Sequence, residues 1–108
     1  MKRLVLACAA LASLCAAAPA SAAPASSADI RNINNRQATI ARAITYCVNH
    51  DMMSASNARA LRSSLSVNRQ YEAHVSRRGL TRQEAGWVKQ QLSRLEARVQ
   101  ITCPLHVQ

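Results

Sequence analysis

Aromatic side chains are scarce in this sequence. It has no phenylalanine, one tryptophan and two tyrosines among 108 residues. A hydrophobic core therefore has to be built mainly from Ile, Leu, Val and Ala. The chain has one uncharged apolar run, close to its first residue, and no second one. Nothing after that run predicts a membrane-spanning segment, since a span needs about 20 consecutive apolar residues.

Acidic residues are scarce as well, with five Asp and Glu against 14 Lys and Arg. The five are Asp29, Asp51, Glu72, Glu84 and Glu96, and they form no evident catalytic pair. The Ser and Thr residues have no His and Asp arranged near them in the sequence, so no nucleophile is indicated. We predict a protein that is not an enzyme and that has no catalytic residues and no cofactor.

Residues 1–22 have the pattern of a cleavable secretory signal. Lys2 and Arg3 supply the positive start, an Ala- and Leu-rich stretch follows, and Pro19 ends it. Ala20-Ser21-Ala22 then places small residues at the two positions that a signal peptidase reads. A cut after Ala22 is predicted, because a cut one residue later would put Pro24 just beyond the cleaved bond.

Two other interpretations of the N-terminal stretch were considered. A retained membrane anchor needs a longer and more strongly apolar segment than this one. A lipoprotein would modify Cys8 or Cys15, but only seven residues precede Cys8, and Leu14 is too bulky for the position before a modified cysteine. We therefore expect a periplasmic or secreted protein.

The predicted cut after Ala22 changes the length, the charge and the cysteine content of the chain. Of 108 residues 86 remain, the formal charge falls from +9 to +7, and only Cys47 and Cys103 are left of four cysteines. Residues 23–28, rich in Ala, Pro and Ser, are predicted to be a flexible linker, and 29–108 one helical domain. A domain of this size has a modest core and gains from a covalent link.

The first predicted helix follows the linker and ends near His50. Apolar residues recur at alternating steps of three and four, which is the spacing of one face of an amphipathic helix. Ser27 or Asp29 is predicted to cap its start. The buried face is predicted to consist of Ile30, Ile33, Gln37, Ile40, Ile44 and Cys47.

The second predicted helix starts after Ser54 as N-cap and ends at Arg77-Arg78-Gly79. Basic residues suit the negative end of a helix dipole, and Gly suits the left-handed position after the last turn. Tyr71 and Val67 flank the predicted buried face. That face consists of Ala58, Leu61, Leu65, Asn68, Glu72 and Val75.

The third predicted helix has the clearest start in the chain. Thr81 and Glu84 form a capping box, and Leu80 can pack on Ala85 as a hydrophobic staple. Gly86 in the helix interior suggests a close contact with another helix, and Pro104 stops the helix. The predicted buried face consists of Val88, Leu92, Leu95 and Val99, with Trp87 beside it.

Short connections make consecutive helices antiparallel, which predicts an up-down-up three-helix bundle or an extended helical hairpin. In that topology Cys47 and Cys103 lie at the same end. In an oxidising compartment we predict that they form a disulfide. The same phasing places Gln37, Asn68 and Glu72 at one height, where they form either a buried hydrogen-bonded layer or the lining of a groove.

Two Cys-x-x-His pairs leave a metal site open as an alternative to the disulfide. Cys47 and His50 lie on one helix face, and Cys103 and His106 come to the same end of the bundle. Two thiolates and two imidazoles suit zinc or cuprous copper. The spacing within each half differs from that of most sites with two Cys and two His, so the disulfide is preferred.

The basic residues of the mature chain are eleven arginines and Lys89. Export separates the protein from chromosomal DNA, and no groove-reading motif is visible, so nucleic acid is not expected as a partner. Anionic envelope components, lipid headgroups or polysaccharide, are the candidate ligands; a solubilising surface is the alternative. The residues predicted to bind them are Arg59, Arg62, Arg69, Arg77, Arg78 and Arg82.

At Leu80-Thr81-Arg82-Gln83-Glu84 the chain resembles the LTxxQ-motif periplasmic helical proteins, the Spy and CpxP-like group. A second, degraded copy stands at Met53-Ser54-Ala55-Ser56-Asn57. Glu84 and Asn57 occupy the position of the family's Gln. The resemblance implies a small exported helical protein linked to envelope stress, with unfolded client proteins as partners and metal sensing in some members. A homodimer is a candidate assembly of the predicted helical protein.

Overall fold

Three long helices make up the described part of the chain. A computed structural model describes residues 23–103. Helix α1 spans Ser27–Asn49, α2 spans Ala55–Ser76 and α3 spans Arg82–Thr102. Each helix contacts both others, which gives the predicted all-α, up-down-up bundle. The predicted signal at 1–22, the lipoprotein candidates Cys8 and Cys15, and the helix stop at Pro104 lie outside the described residues.

The N-termini of the helices are set by short polar side chains. Thr81 and Glu84 form the predicted capping box of α3, and Ser54 accepts a hydrogen bond from the backbone N–H of Asn57 at the start of α2. The cap of α1 differs from the prediction. It is Ser26, which forms a capping box with Asp29, because its hydroxyl accepts from the Asp29 N–H at 3.1 Å.

The structure also differs from the expected linker over residues 23–28. Ser27 and Ala28 already belong to α1. Before them, the Ala25 N–H donates to the Leu80 carbonyl at 2.8 Å, and the Arg82 N–H donates to the Ala23 carbonyl at 2.7 Å. The segment before α1 is therefore an extended piece paired with the turn between α2 and α3. Backbone hydrogen bonds of this kind are not visible in a composition of Ala, Pro and Ser.

The core lies where the predicted helix faces meet. The predicted face of α1 is buried from Ile33 to Cys47, whereas Ile30 is 38% exposed. Met53 and Leu80, each one residue before an N-cap, are also buried and close the ends of the core. Ile33, Ile44, Val75, Val88 and Leu92 are the largest side chains that are almost fully buried, apart from the two cysteines.

A buried amide pair crosses the core, as the polar residues of the helix faces predict. The Gln37 Nε2 donates to the Asn68 Oδ1 at 2.9 Å, and the Asn68 Nδ2 donates to the Val88 carbonyl at 3.3 Å. Glu72 is not part of this layer. It is only half-buried and accepts a hydrogen bond from the Ser76 hydroxyl on its own helix. The carboxylate stays near water, because burying an unpaired charge is far more costly than burying an amide.

The disulfide links the last turn of α1 to the end of α3. Cys47 and Cys103 are bonded, their Cα atoms lie 6.1 Å apart, and both residues are fully buried. The antiparallel order of the helices brings the two cysteines to one end, which confirms the predicted pairing. The bond closes a loop that contains the whole of α2.

Gly86 does not mark a close helix contact, contrary to the prediction. It is exposed, and a Cβ atom added to it would meet no other atom within 4 Å. Gly79, in contrast, has a φ of +94°, which side-chain-bearing residues rarely adopt, and it ends the turn after α2.

The two glycines should respond in opposite directions to alanine. Replacing Gly86 with Ala should raise the free energy of unfolding by about 1 kcal/mol, since Ala is favoured over Gly by that amount in a helix interior. Urea titration followed by circular dichroism measures the change. The control variant Gly79→Ala should be destabilised, because its φ strains any side chain. A Gly86→Ala protein less stable than wild type would show that the position is tightly packed after all.

Candidate anion-binding surfaces

The six arginines predicted to bind anions do not lie together in the structure. All six are exposed. Arg59, Arg62 and Arg69 lie along α2, whereas the other three flank the turn that leads into α3. The Arg62 Nη2 donates to the Thr45 Oγ1 of α1 at 3.3 Å, so this side of α2 faces α1. Arg62 and Arg69 are two turns apart and so share that side.

The second group, Arg77, Arg78 and Arg82, flanks the turn between α2 and α3. Arg78 is engaged in an ion pair with Glu84 at 2.7 Å. Glu84 is at the same time the capping residue of α3. The Thr81 backbone N–H, and after it the Arg78 guanidinium, hold the pKa of Glu84 below its usual range. Arg77 and Arg82 have no hydrogen-bonding side-chain partner among residues 23–103.

Opposite charges face each other on the side of the bundle where α1 meets α3. Arg36 makes two hydrogen bonds to Glu96, at 2.9 Å from Nε and 2.7 Å from Nη2, and the pair raises the pKa of the guanidinium. At the start of α1, Lys89 binds Asp29, and this ammonium, followed by the Ser26 cap, lowers the pKa of the Asp29 carboxyl. This side of the bundle is therefore close to neutral.

These ion pairs leave the arginine charge unevenly distributed. Three carboxylates in the described residues, Asp29, Glu84 and Glu96, are each paired with one basic side chain. Nine of the eleven arginines in residues 23–103 therefore have no carboxylate partner there. They are Arg31, Arg42, Arg59, Arg62, Arg69, Arg77, Arg82, Arg94 and Arg98.

A groove between α2 and α3 holds two of these arginines, and it was not among the sites predicted from the sequence. Its cavity has a volume of about 420 Å³. The Arg98 Nη1 donates to the Ser64 Oγ at 3.2 Å across the groove. No Asp or Glu is among the residues that line it. The lining consists of Ser63, Ser64, Val67, Asn68, Gln91, Arg94, Leu95 and Arg98.

Exposed apolar side chains extend this groove in both directions. A second depression of about 130 Å³ shares Arg98 and is lined by Ala60 and Ile101. Towards the other end of α3, Trp87 packs against Tyr71 of α2 with ring centroids 4.5 Å apart. Exposure is 43% for Trp87, 61% for Val67 and 81% for Ile101.

A signal for this surface exists in the sequence. Residues 87, 94, 98 and 101 follow one another at steps of seven, four and three, so they share one side of α3. Trp87, Arg94, Arg98 and Ile101 thus form a row in which two arginines lie between two apolar residues. We define the α2–α3 face as this row together with Val67. Apolar periodicity alone does not reveal this row, because arginines occupy the positions between its apolar residues.

The alternative metal site lacks its thiolates in this structure, because Cys47 and Cys103 are bonded to each other. His50 is exposed, stacks on Tyr46 with ring centroids 3.9 Å apart, and shares a hydrogen bond through Nδ1 with the Tyr46 carbonyl. His106 lies outside the described residues. Within residues 23–103 no group of three or more His, Cys, Asp and Glu side chains could hold a metal ion.

Comparisons with protein-family models, with curated proteins and with solved structures find no match to this chain. The resemblance to the LTxxQ-motif proteins therefore stays a prediction, based on the two short segments that begin α2 and α3. None of the helices in residues 23–103 is long and apolar enough to cross a bilayer.

Proposed function

We propose that this chain is an exported, non-enzymatic helical protein that binds the surface of anionic envelope membranes. The observation that carries the proposal is the set of nine arginines without a carboxylate partner in the described residues. A guanidinium can bind a phosphate with two parallel hydrogen bonds, which a carboxylate partner would otherwise occupy. Their charge is therefore available to an external anion.

The compartment in this proposal comes from the signal pattern at 1–22 and is supported by the disulfide. Disulfides persist in the periplasm and outside the cell and are rare in the cytosol. The anions in such a compartment include phospholipid headgroups and polysaccharides. Lipid is the ligand we propose, since exposed Trp and aliphatic side chains accompany the arginines on the α2–α3 face.

The non-enzymatic part of the proposal is supported by the surroundings of the described histidines. His50 shares its hydrogen bond with a backbone carbonyl, and His74 has no hydrogen-bond partner in residues 23–103. General bases in hydrolases are normally within hydrogen-bonding distance of a nucleophile and held by a third group. Neither histidine has such neighbours in the described residues.

The proposal predicts binding that depends on lipid charge and on salt. The protein is recovered after export, and mass spectrometry should show a chain that starts at Ala23. It should co-sediment with vesicles of phosphatidylcholine and phosphatidylglycerol but not with phosphatidylcholine alone. Each arginine near an anionic surface contributes about 1 kcal/mol at low salt. Binding should therefore be lost as salt rises towards 1 M, where the Debye length is about 3 Å.

Two controls make this experiment decisive. Dextran sulfate, a soluble polyanion, tests for a polysaccharide ligand, and retention on it without any vesicle binding would contradict the membrane proposal. The Arg36→Gln/Glu96→Gln variant removes a paired arginine together with its carboxylate and leaves the net charge unchanged, so it should bind vesicles nearly as well as wild type. Vesicle binding that is unchanged by salt would also contradict the proposal.

A further inference from the structure

We propose that the α2–α3 face is the membrane-docking surface, with Trp87 inserted at the level of the headgroups and Arg94 and Arg98 bound to lipid phosphates. The inference rests on the proposed function and specifies which side of the bundle contacts the bilayer. Three observations on this face carry it: exposed apolar side chains, arginines without carboxylates, and the absence of acidic residues from the groove lining.

Three exposed apolar side chains accompany the arginines on this face, and two of them, Val67 and Ile101, are the most exposed large apolar residues of the described chain. Proteins that lie on a membrane combine cationic residues with Trp, Phe or Leu that enter the headgroup region. Trp87, Val67 and Ile101 all lie on or beside the groove. The other large exposed apolar residues of the described chain, Ile30, Tyr46 and Met52, lie on α1 or in the loop after it. None of these three apolar residues is on α2, the helix that carries Arg59, Arg62 and Arg69.

Trp87 is held in a position suited to the interface. Its ring packs against Tyr71 and is still 43% exposed, so it is both anchored and accessible. Trp and Tyr are enriched at the boundary between water and hydrocarbon, because their rings are apolar and carry a polar group. Trp87 lies about two helical turns from Arg94 along α3.

The charge of the α2–α3 face favours a lipid surface over a second copy of this chain as its binding partner. Arg94 and Arg98 lie one turn apart, and the groove between α2 and α3 contains no carboxylate that a second copy could offer them. Two copies meeting through this face would bring four guanidinium groups together without a partner. An anionic bilayer provides a phosphate for each and accepts the apolar side chains as well.

Fluorescence tests the orientation directly, since Trp87 is the sole tryptophan of the chain. On addition of anionic vesicles the exported protein should emit at shorter wavelength, and lipids carrying a quencher near the headgroup should quench the emission. Phosphatidylcholine vesicles should leave the spectrum unchanged. Binding by co-sedimentation with an unshifted and unquenched spectrum would overturn the inference and leave the proposed function intact.

Matched arginine pairs provide the second test. The Arg94→Gln/Arg98→Gln variant should weaken binding to anionic vesicles about 30-fold at low salt, as expected for two arginines near the surface. The Arg62→Gln/Arg69→Gln variant removes the same charge from the side of α2 that faces α1. It should weaken binding by less than about threefold, since these two arginines would attract the bilayer only from a distance. Circular dichroism checks that both variants fold.

The outcomes separate the two proposals. If the Arg62/Arg69 variant loses more affinity than the Arg94/Arg98 variant, the docking face is the one between α1 and α2, and the inference is wrong. If both pairs lose the same affinity and the Trp87 emission stays unshifted, only net charge matters, and the inference is wrong again. If the wild-type protein does not bind anionic vesicles at all, the proposed function itself fails.

Discussion

Reduction of the Cys47–Cys103 bond should lower the free energy of unfolding by about 4 kcal/mol. The bond joins residues 56 positions apart and closes a loop that contains α2. In the chain-entropy model, opening a loop of this length gives the unfolded chain that much additional freedom. For a domain of this size, 4 kcal/mol is a large part of a typical total stability.

Urea titration with and without a thiol reductant measures this effect. The matched control is the Cys47→Ala/Cys103→Ala variant, in which reductant should change nothing. Alanine is used because a hydroxyl at these fully buried positions would add a desolvation penalty of its own. If reductant leaves the wild-type midpoint unchanged while free thiols appear on titration, the bond contributes no stability, and the packing of the three helices suffices.

The Asn68→Ala variant should be destabilised by about 1–3 kcal/mol, the second largest change we predict. Asn68 accepts the Gln37 Nε2 hydrogen bond from α1 and donates to the Val88 carbonyl of α3. Truncation leaves the buried Gln37 amide without its acceptor, and an unsatisfied buried group costs about this much. In the described residues every buried side-chain N and O already has a partner, so no free buried acceptor is available to replace the Asn68 Oδ1.

The matched control removes both amides at once. The Gln37→Leu/Asn68→Leu variant has no unsatisfied group left from this pair and should be closer to wild type in stability than Asn68→Ala is. Urea midpoints of this variant and of the single variants Gln37→Leu and Asn68→Leu complete a double-mutant cycle. Additive losses would show that the two amides do not interact in solution and would refute the hydrogen-bonded layer.

The α3 helix shows how much local sequence can predict. Its start at Thr81 and Glu84 and its buried face from Val88 to Val99 were both predicted and confirmed. A capping box acts within four residues, and an apolar face repeats with the helix period, so both are readable without tertiary contacts. Gly86 was misread, since a glycine can mark close packing or simply stand on the exposed side, and only neighbouring atoms distinguish the two.

Prediction of the disulfide required the direction of each helix in addition to the local apolar periodicity. Once short turns make the helices antiparallel, Cys47 and Cys103 come to one end, and in the structure their Cα atoms lie 6.1 Å apart. Gln37 and Asn68 were matched by the same reasoning. Glu72 was not excluded by it, because height along a helix does not reveal whether a charged group can turn towards water.

The limit of sequence reasoning is clearest in the charge of this protein. The sequence by itself determined that arginine dominates, that the helices are amphipathic and where they start, because these depend on composition and on contacts within a few residues. Only the tertiary structure decided which arginines are paired. Arg36 and Lys89 meet carboxylates 60 positions away, whereas Arg94 and Arg98 line a groove without one. Ion pairing depends on which helix sides face each other, and that is set by packing of the whole bundle.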